Sequence, residues 1–147
     1  MKKIAAVFAL AVLAACSNAS GPLIAISGGS FIFNYRIAEV MAGVQVVANR
    51  DLPAGSTIEV SFANPAGGEP LVQSEATTAE KVQYTFTFHN LTGVKAKVDY
   101  PATARLIGAD GKEIEKIEKI YRSDVDQDVM PDKPLTVGPG YTPNATQ

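Results

Sequence analysis

The sequence has one cysteine and one histidine in its 147 residues. A single thiol excludes an internal disulfide, even in a compartment that would permit one. A single histidine, His89, is too little for a zinc centre, which needs several His, Cys or carboxylate ligands. It also stands beside no nucleophile motif, so no nucleophile, base and orienter set is spelled out. The GxSxG and HExxH motifs and a phosphate-cradling glycine loop are missing, and no internal repeat is visible. Basic excess is missing too. Thirteen Lys and Arg face 15 Asp and Glu, for a net charge of −2, which excludes the clustered cations that phosphate backbones require. A polybasic patch for anionic lipid is likewise absent. These gaps point away from an enzyme, a nucleic-acid binder and a cofactor carrier.

The N-terminus carries the clearest positive signal. Lys2 and Lys3 precede an unbroken apolar run at residues 4–12, and small residues follow at Ala14 and Ala15. That is the charged head, apolar middle and small-residue site of a secretory signal. The run is shorter than the roughly 20 residues of a membrane-spanning helix. Residues 13–16 (LAAC) resemble the bacterial lipobox. The resemblance implies a diacylglycerol on the Cys16 thiol, cleavage before Cys16, and acylation of the new amino terminus with a fatty acid such as palmitate. It also makes Ser17, rather than Asp, a sign of outer-membrane sorting, with the periplasmic face as the expected location and the inner membrane or the cell surface as alternatives. Residues 1–15 are then the signal peptide, 16–22 the lipidated cysteine and tether, 23–140 the folded domain and 141–147 a flexible tail. Removing 15 residues leaves 132 of 147, and losing Lys2 and Lys3 leaves 11 basic against 15 acidic residues, a net −4. A chain of that length builds a single core.

Period-2 patterning dominates the mature part. Phe31, Phe33, Tyr35 and Ile37 fall on one face, as do Ile58, Val60 and Phe62; Val82, Tyr84, Phe86 and Phe88; and Val94, Ala96, Val98 and Tyr100. Such alternation predicts strands with one buried face, and Phe33, Tyr84, Phe86 and Val98 are expected in the core. Turn clusters at residues 51–55, 64–68, 90–93 and 109–112 separate the runs. Asp110-Gly111 predicts a hairpin. Residues 112–122 (KEIEKIEKIYR) place Ile114, Ile117 and Tyr121 at helical spacing, but a hairpin needs a return strand and charges suit an exposed edge, so a strand is expected there. The proline-rich end should hold one short strand near residues 135–137. The fold class is all-β, an immunoglobulin-like antiparallel sandwich.

Residues 82–137 resemble the FxLYD-type immunoglobulin-like domains of secreted and membrane-anchored bacterial proteins. The order of elements is shared across VQYTFTFHN, LTGVKAKV, ATARLIGADGKEI and VMPDKPLTV, although RLIGADG replaces the defining aromatic-Leu-Tyr-Asp core. The resemblance implies the sandwich and no catalytic residue. Residues 46–58 (VVANRDLPAGSTI) resemble a segment of SAF-type domains in flagellar and pilus assembly factors; a strand, a Pro-Gly turn and a second strand would read the same way.

Asp124, Asp126 and Asp128 alternate, with Asp132 close behind. Carboxylates in such a loop can converge on Ca²⁺. An EF-hand loop starting at Asp124 needs Gly at its sixth position and Glu at its twelfth, where Val129 and Leu135 stand, so that motif fails. These four are candidate metal ligands only, with a solvated acidic loop as the plainer account. Three glycosylation sequons, at Asn18, Asn90 and Asn144, are accidental in a bacterial lipoprotein. The functional expectation is a lipid-anchored binding or structural module. It meets the membrane through its anchor and serves a protein partner as an accessory subunit of an envelope assembly. The alternatives are a small-ligand or Ca²⁺-binding lipoprotein using residues 124–132, and a SAF-like assembly factor.

Overall fold

The computed structural model describes residues 21–140 and 142–145. The signal peptide, Cys16 and most of the tether lie outside the described residues. The clearest alternation folds as read. Strand β3 (Thr57–Phe62) buries Ile58, Val60 and Phe62 completely, and β5 (Gln83–Phe88) buries Tyr84, Phe86 and Phe88. Val82, which continues that pattern, precedes the strand and is 65% exposed. Strands β1 (Ile24–Asn34) and β2 (Glu39–Ala48) form an antiparallel pair, and β5 joins the other side of β2. In the second sheet β3 lies between β4 (Leu71–Ala76) and β6 (Tyr100–Ile107), and β7 (Glu113–Tyr121) forms the edge beyond β6. The orders β1-β2-β5 and β4-β3-β6-β7 make an immunoglobulin-like antiparallel sandwich in which the fourth strand joins the sheet of the third. A small ladder, β8 (Thr136–Val137) with β9 (Thr142–Pro143), follows the sandwich.

The core sits between the sheets. Phe62 is its centre, stacked on Phe88 at 5.4 Å and meeting Phe31 and Tyr121 at 5.7 and 5.8 Å. Each fully buried aromatic or branched side chain contributes about 1.5–3 kcal/mol. Residues 113–121 are indeed a strand. Pairing with β6 overrides the helical spacing, and Ile114 and Ile120 stay exposed on the edge. The hairpin at Asp110-Gly111 forms as expected: Gly111 takes φ +78°, the Asp110 carboxylate accepts the Lys112 amide at 3.0 Å, and Gly108 and Lys112 close the loop at 2.8 Å.

Two stretches depart from the alternation. Strand β1 ends at Asn34, whose side chain accepts the Arg36 amide to start a turn, so Tyr35 and Ile37 are 44% and 39% exposed instead of lying on the buried face. Phe33 is half-buried against the core. Residues 94–98 are not a strand. Lys97 adopts φ +60°, which rotates the chain out of the pleat, and Val98 is 44% exposed where burial was expected. Only Val94 and Tyr100, at the two ends of that run, are buried, and Ala96 makes one isolated parallel bridge to Ser123.

Candidate functional site

Antiparallel register sorts the connections to two ends. The near end holds the start of β1 and the loops 49–56, 77–82 and 108–112; the far end holds the loops 35–38, 63–70 and 89–99 and the arm that follows β7. Each end carries part of the candidate surface.

The acidic segment lies at the far end, and two of its four carboxylates are occupied. Asp124 pairs with Lys97, which holds its carboxyl below the usual range first by a hydrogen bond and then by charge. Asp126 accepts the Ala96 amide at 2.7 Å. Residues 127–129 form a 3₁₀ turn, so the aspartates do not line one face as an extended chain would. Asp128 and Asp132 are exposed. Among the described residues no group of three or more His, Cys, Asp or Glu side chains is placed to hold a metal ion.

Gln127 does what alternation could not predict. Its amide and side-chain oxygen bond the Val94 carbonyl and amide at 2.8 and 3.1 Å, and its side-chain nitrogen donates to the Leu91 carbonyl at 2.7 Å. With Asp126 it supplies residues 91–96 with the partners a neighbouring strand would give. Tyr100 braces the same connection from below. Its hydroxyl accepts the Lys95 amide at 2.8 Å, five residues upstream at the entry to the sixth strand, which is the tyrosine-corner arrangement of immunoglobulin-like sandwiches. The sequence carried no separate signal for it, because Tyr100 continues the alternation of Val94, Ala96 and Val98. Between β1 and this arm a groove of about 230 Å³ is lined by Phe31, Phe33, Ser123 and Val125. Arg122 pairs with Asp99 at its rim and holds that carboxyl low.

His89 is exposed, and its Nδ1 lies 2.8 Å from Glu39 Oε1, which also accepts the Asn90 amide at 3.3 Å. The pair fixes the turn after β5, where Asn90 takes φ +53°. The two outer faces differ. On the second sheet Arg105 bridges Glu59 and Glu113 at 2.8 and 2.7 Å, and Lys116 pairs with Glu118 at 2.9 Å. On the first sheet the outward row is neutral through Ile32, Met41, Gln45, Val47, Thr85 and Thr87, with Glu39 at its far rim.

At the near end the chain enters beside a cavity of about 460 Å³, lined by Ala48, Asn49, Arg50, Leu52, Lys81 and Val82 among others. Asn49 donates to the Pro22 carbonyl at 2.9 Å, and Arg50 bonds the Gly21 carbonyl. Glu115 accepts the Leu23 and Ile24 amides at 2.8 and 3.1 Å, so the edge strand β7 clamps the first residues of β1. Cys16 lies outside the described residues. Among those described, no helix is long and apolar enough to cross a membrane.

No family model matches the chain, and no curated protein does. Among solved structures it is similar to a putative beta-galactosidase from Bacteroides fragilis, at 18% identity and a TM-score of 0.43, covering 65% of this chain and 16% of that one. It is also similar to a family 76 glycoside hydrolase from a bovine Bacteroides thetaiotaomicron strain, at 15% identity and a TM-score of 0.38, covering 67% and 20%. The chain thus spans a small part of each.

Proposed function

We propose that this protein is a lipid-anchored, non-enzymatic binding module that faces the periplasm, held on the outer membrane through Cys16, and that it serves as an accessory subunit of an envelope protein assembly. The observation that carries the reading is the order LAAC, small polar tether, sandwich: residues 13–16 stand a few residues before a first strand that begins at Ile24. Three acyl chains on one residue hold a protein far more firmly than the marginal grip of one. The sandwich offers edges and loops of the kind that recruit partners by backbone pairing. The carboxylates of Asp124 and Asp126 already serve the protein's own donors, which weighs against the calcium reading. Residues 46–58 do contain strand, turn and strand, but β2 and β3 belong to opposite sheets, as any sandwich connection would place them, so the SAF reading gains nothing from the fold.

The test is fractionation with acyl labelling. The parent chain should partition with membranes and take up labelled palmitate, and Cys16→Ser should do neither. A mutant that still carries label and still pellets with membranes refutes the anchor. Crosslinking in cells, with an unrelated anchored protein as control, should capture a defined envelope partner; an empty capture refutes the accessory role.

A further inference from the structure

We infer that the near end of the sandwich is a membrane-facing surface whose partner is the phospholipid headgroup layer, and that the strands stand away from the bilayer with the far end presented outward. The inference rests on the anchor proposed above. Its first support is reach. Cys16 and Gly21 are five residues apart in sequence, which allows at most about 17 Å of extended chain. The eleven residues of β1 span about 36 Å. Gly21 and Pro22 are bonded to Arg50 and Asn49 on the rim of the near-end cavity, so the short tether leaves from this end and keeps it beside the lipid.

Charge is the second support. The loops 49–56, 77–82 and 108–112 carry Arg50, Lys81 and Lys112 against Asp51, Glu80 and Asp110, which balance. The glutamates nearest those loops are held by neighbours, Glu75 by Lys81, Glu113 by Arg105 and Glu115 by the Leu23 and Ile24 amides, whereas Asp128 and Asp132 at the far end are exposed. An anionic surface acts on charges within a Debye length, about 8–10 Å at ordinary ionic strength. Standing upright keeps the exposed Asp128 and Asp132 beyond that distance, and lying flat would bring Glu39 or the face bearing Glu59 and Glu118 inside it. The loop tips complete the fit. Ala54, Ala79 and Ala109 are exposed at this end, as is the large apolar side chain of Val82.

The sequence has no tryptophan, so single reporters are clean. Val82→Trp and Ala79→Trp at the near end and Ile37→Trp at the far end all replace exposed residues, and circular dichroism checks that each variant keeps the parent fold. The lipidated full chain is purified from membranes and reconstituted into phosphatidylethanolamine–phosphatidylglycerol vesicles containing headgroup spin-labelled lipid. Emission at positions 82 and 79 should be quenched several-fold more than at 37. Equal quenching at the two ends, or stronger quenching at 37, overturns the orientation while leaving the anchor intact. A purified chain with no acyl mass on Cys16 overturns the anchor and the membrane partner together.

Discussion

Gly29 should be the least replaceable small residue in the sandwich. It lies just after the β-bulge between Ile26 and Gly28 and takes φ +132°, a backbone region that essentially only glycine occupies. A Cβ there would stand 2.1 Å from the Gly43 carbonyl oxygen on the paired strand and 2.8 Å from the Tyr121 hydroxyl. The first neighbour is backbone within a ladder and cannot swing aside. The conformational cost of such a residue is about 1–3 kcal/mol, and forcing extra atoms into a packed site adds about 1–3 kcal/mol more. Gly29→Ala should therefore lose about 2–6 kcal/mol, a large share of an ordinary domain's total stability. In urea that is a midpoint shift of about 1–3 M at the slopes usual for small domains. Gly43→Ala is the internal control. Gly43 lies on the adjacent strand at ordinary φ, with nothing within 4 Å of an added Cβ, so its replacement should be neutral or stabilising by up to about 1 kcal/mol. Equilibrium unfolding of residues 20–147, followed by far-ultraviolet circular dichroism, measures both. A Gly29→Ala protein within about 0.5 kcal/mol of the parent refutes the strained-bulge account, and an equal loss in both variants shows that neither site is special.

Two further predictions concern titration and metal. Burial pushes the Tyr121 hydroxyl from 10.0 up to about 12, and that hydroxyl donates to the Gly28 carbonyl at 2.7 Å. The folded value is the raised one, so the stability it carries is complete below pH 10 and is lost between pH 10 and about 12; a two-unit shift sets a ceiling of about 2.7 kcal/mol, reduced where water reaches the hydroxyl. The difference between parent and Tyr121→Phe denaturation profiles isolates it from the lysines, and curves that run parallel across that window refute it. Calcium should leave the melting temperature nearly unchanged relative to chelator, because Asp124 and Asp126 are already committed to Lys97 and Ala96. Saturating a real site at 100 times its dissociation constant would add about 2.7 kcal/mol, a rise of roughly 5–15 °C, and such a rise that disappears in an Asp124→Asn, Asp126→Asn variant refutes the expectation.

The sequence was most legible where one face of a strand is apolar and the other polar. Residues 57–62 and 83–88 meet that condition and form strands with the expected residues buried. The strand at 113–121 was legible for a different reason. Its own spacing favours a helix, and only the demand of the Asp-Gly hairpin for a return strand resolves it. Strand β2 carries a valid alternation of Val40, Ala42, Val44 and Val46, but Met41 and Val47 on its outer face blur the contrast, so only its final residues were recognised. Strand β4 has no fully buried residue at all, and nothing in LVQSEA separates an edge strand from a loop. Periodicity alone therefore marks neither strand in full, β2 because its outer face is also apolar and β4 because its inner face is only partly buried.

The far end shows why candidate chemistry was harder to read than fold. Residues 94–100 satisfy alternation at every position, and that pattern predicts a strand. What defeats it is the lack of a neighbour to pair with. The run is the link that carries the chain from β5 in one sheet to β6 in the other, so it crosses the gap where no ladder continues. Its backbone groups are met one by one by Asp126, Gln127 and the Tyr100 hydroxyl, and Lys97 turns to positive φ beside the Asp124 pair. The aspartates that suggested a metal loop are thus part of the answer to a hydrogen-bonding problem set some thirty residues earlier in the chain. Spacing within residues 124–132 could not reveal this, because the partners that fix Asp124 and Asp126 belong to another segment. Asp126 is drawn to the Ala96 amide and Asp124 to Lys97, and a cation binding there would have to compete with both donors.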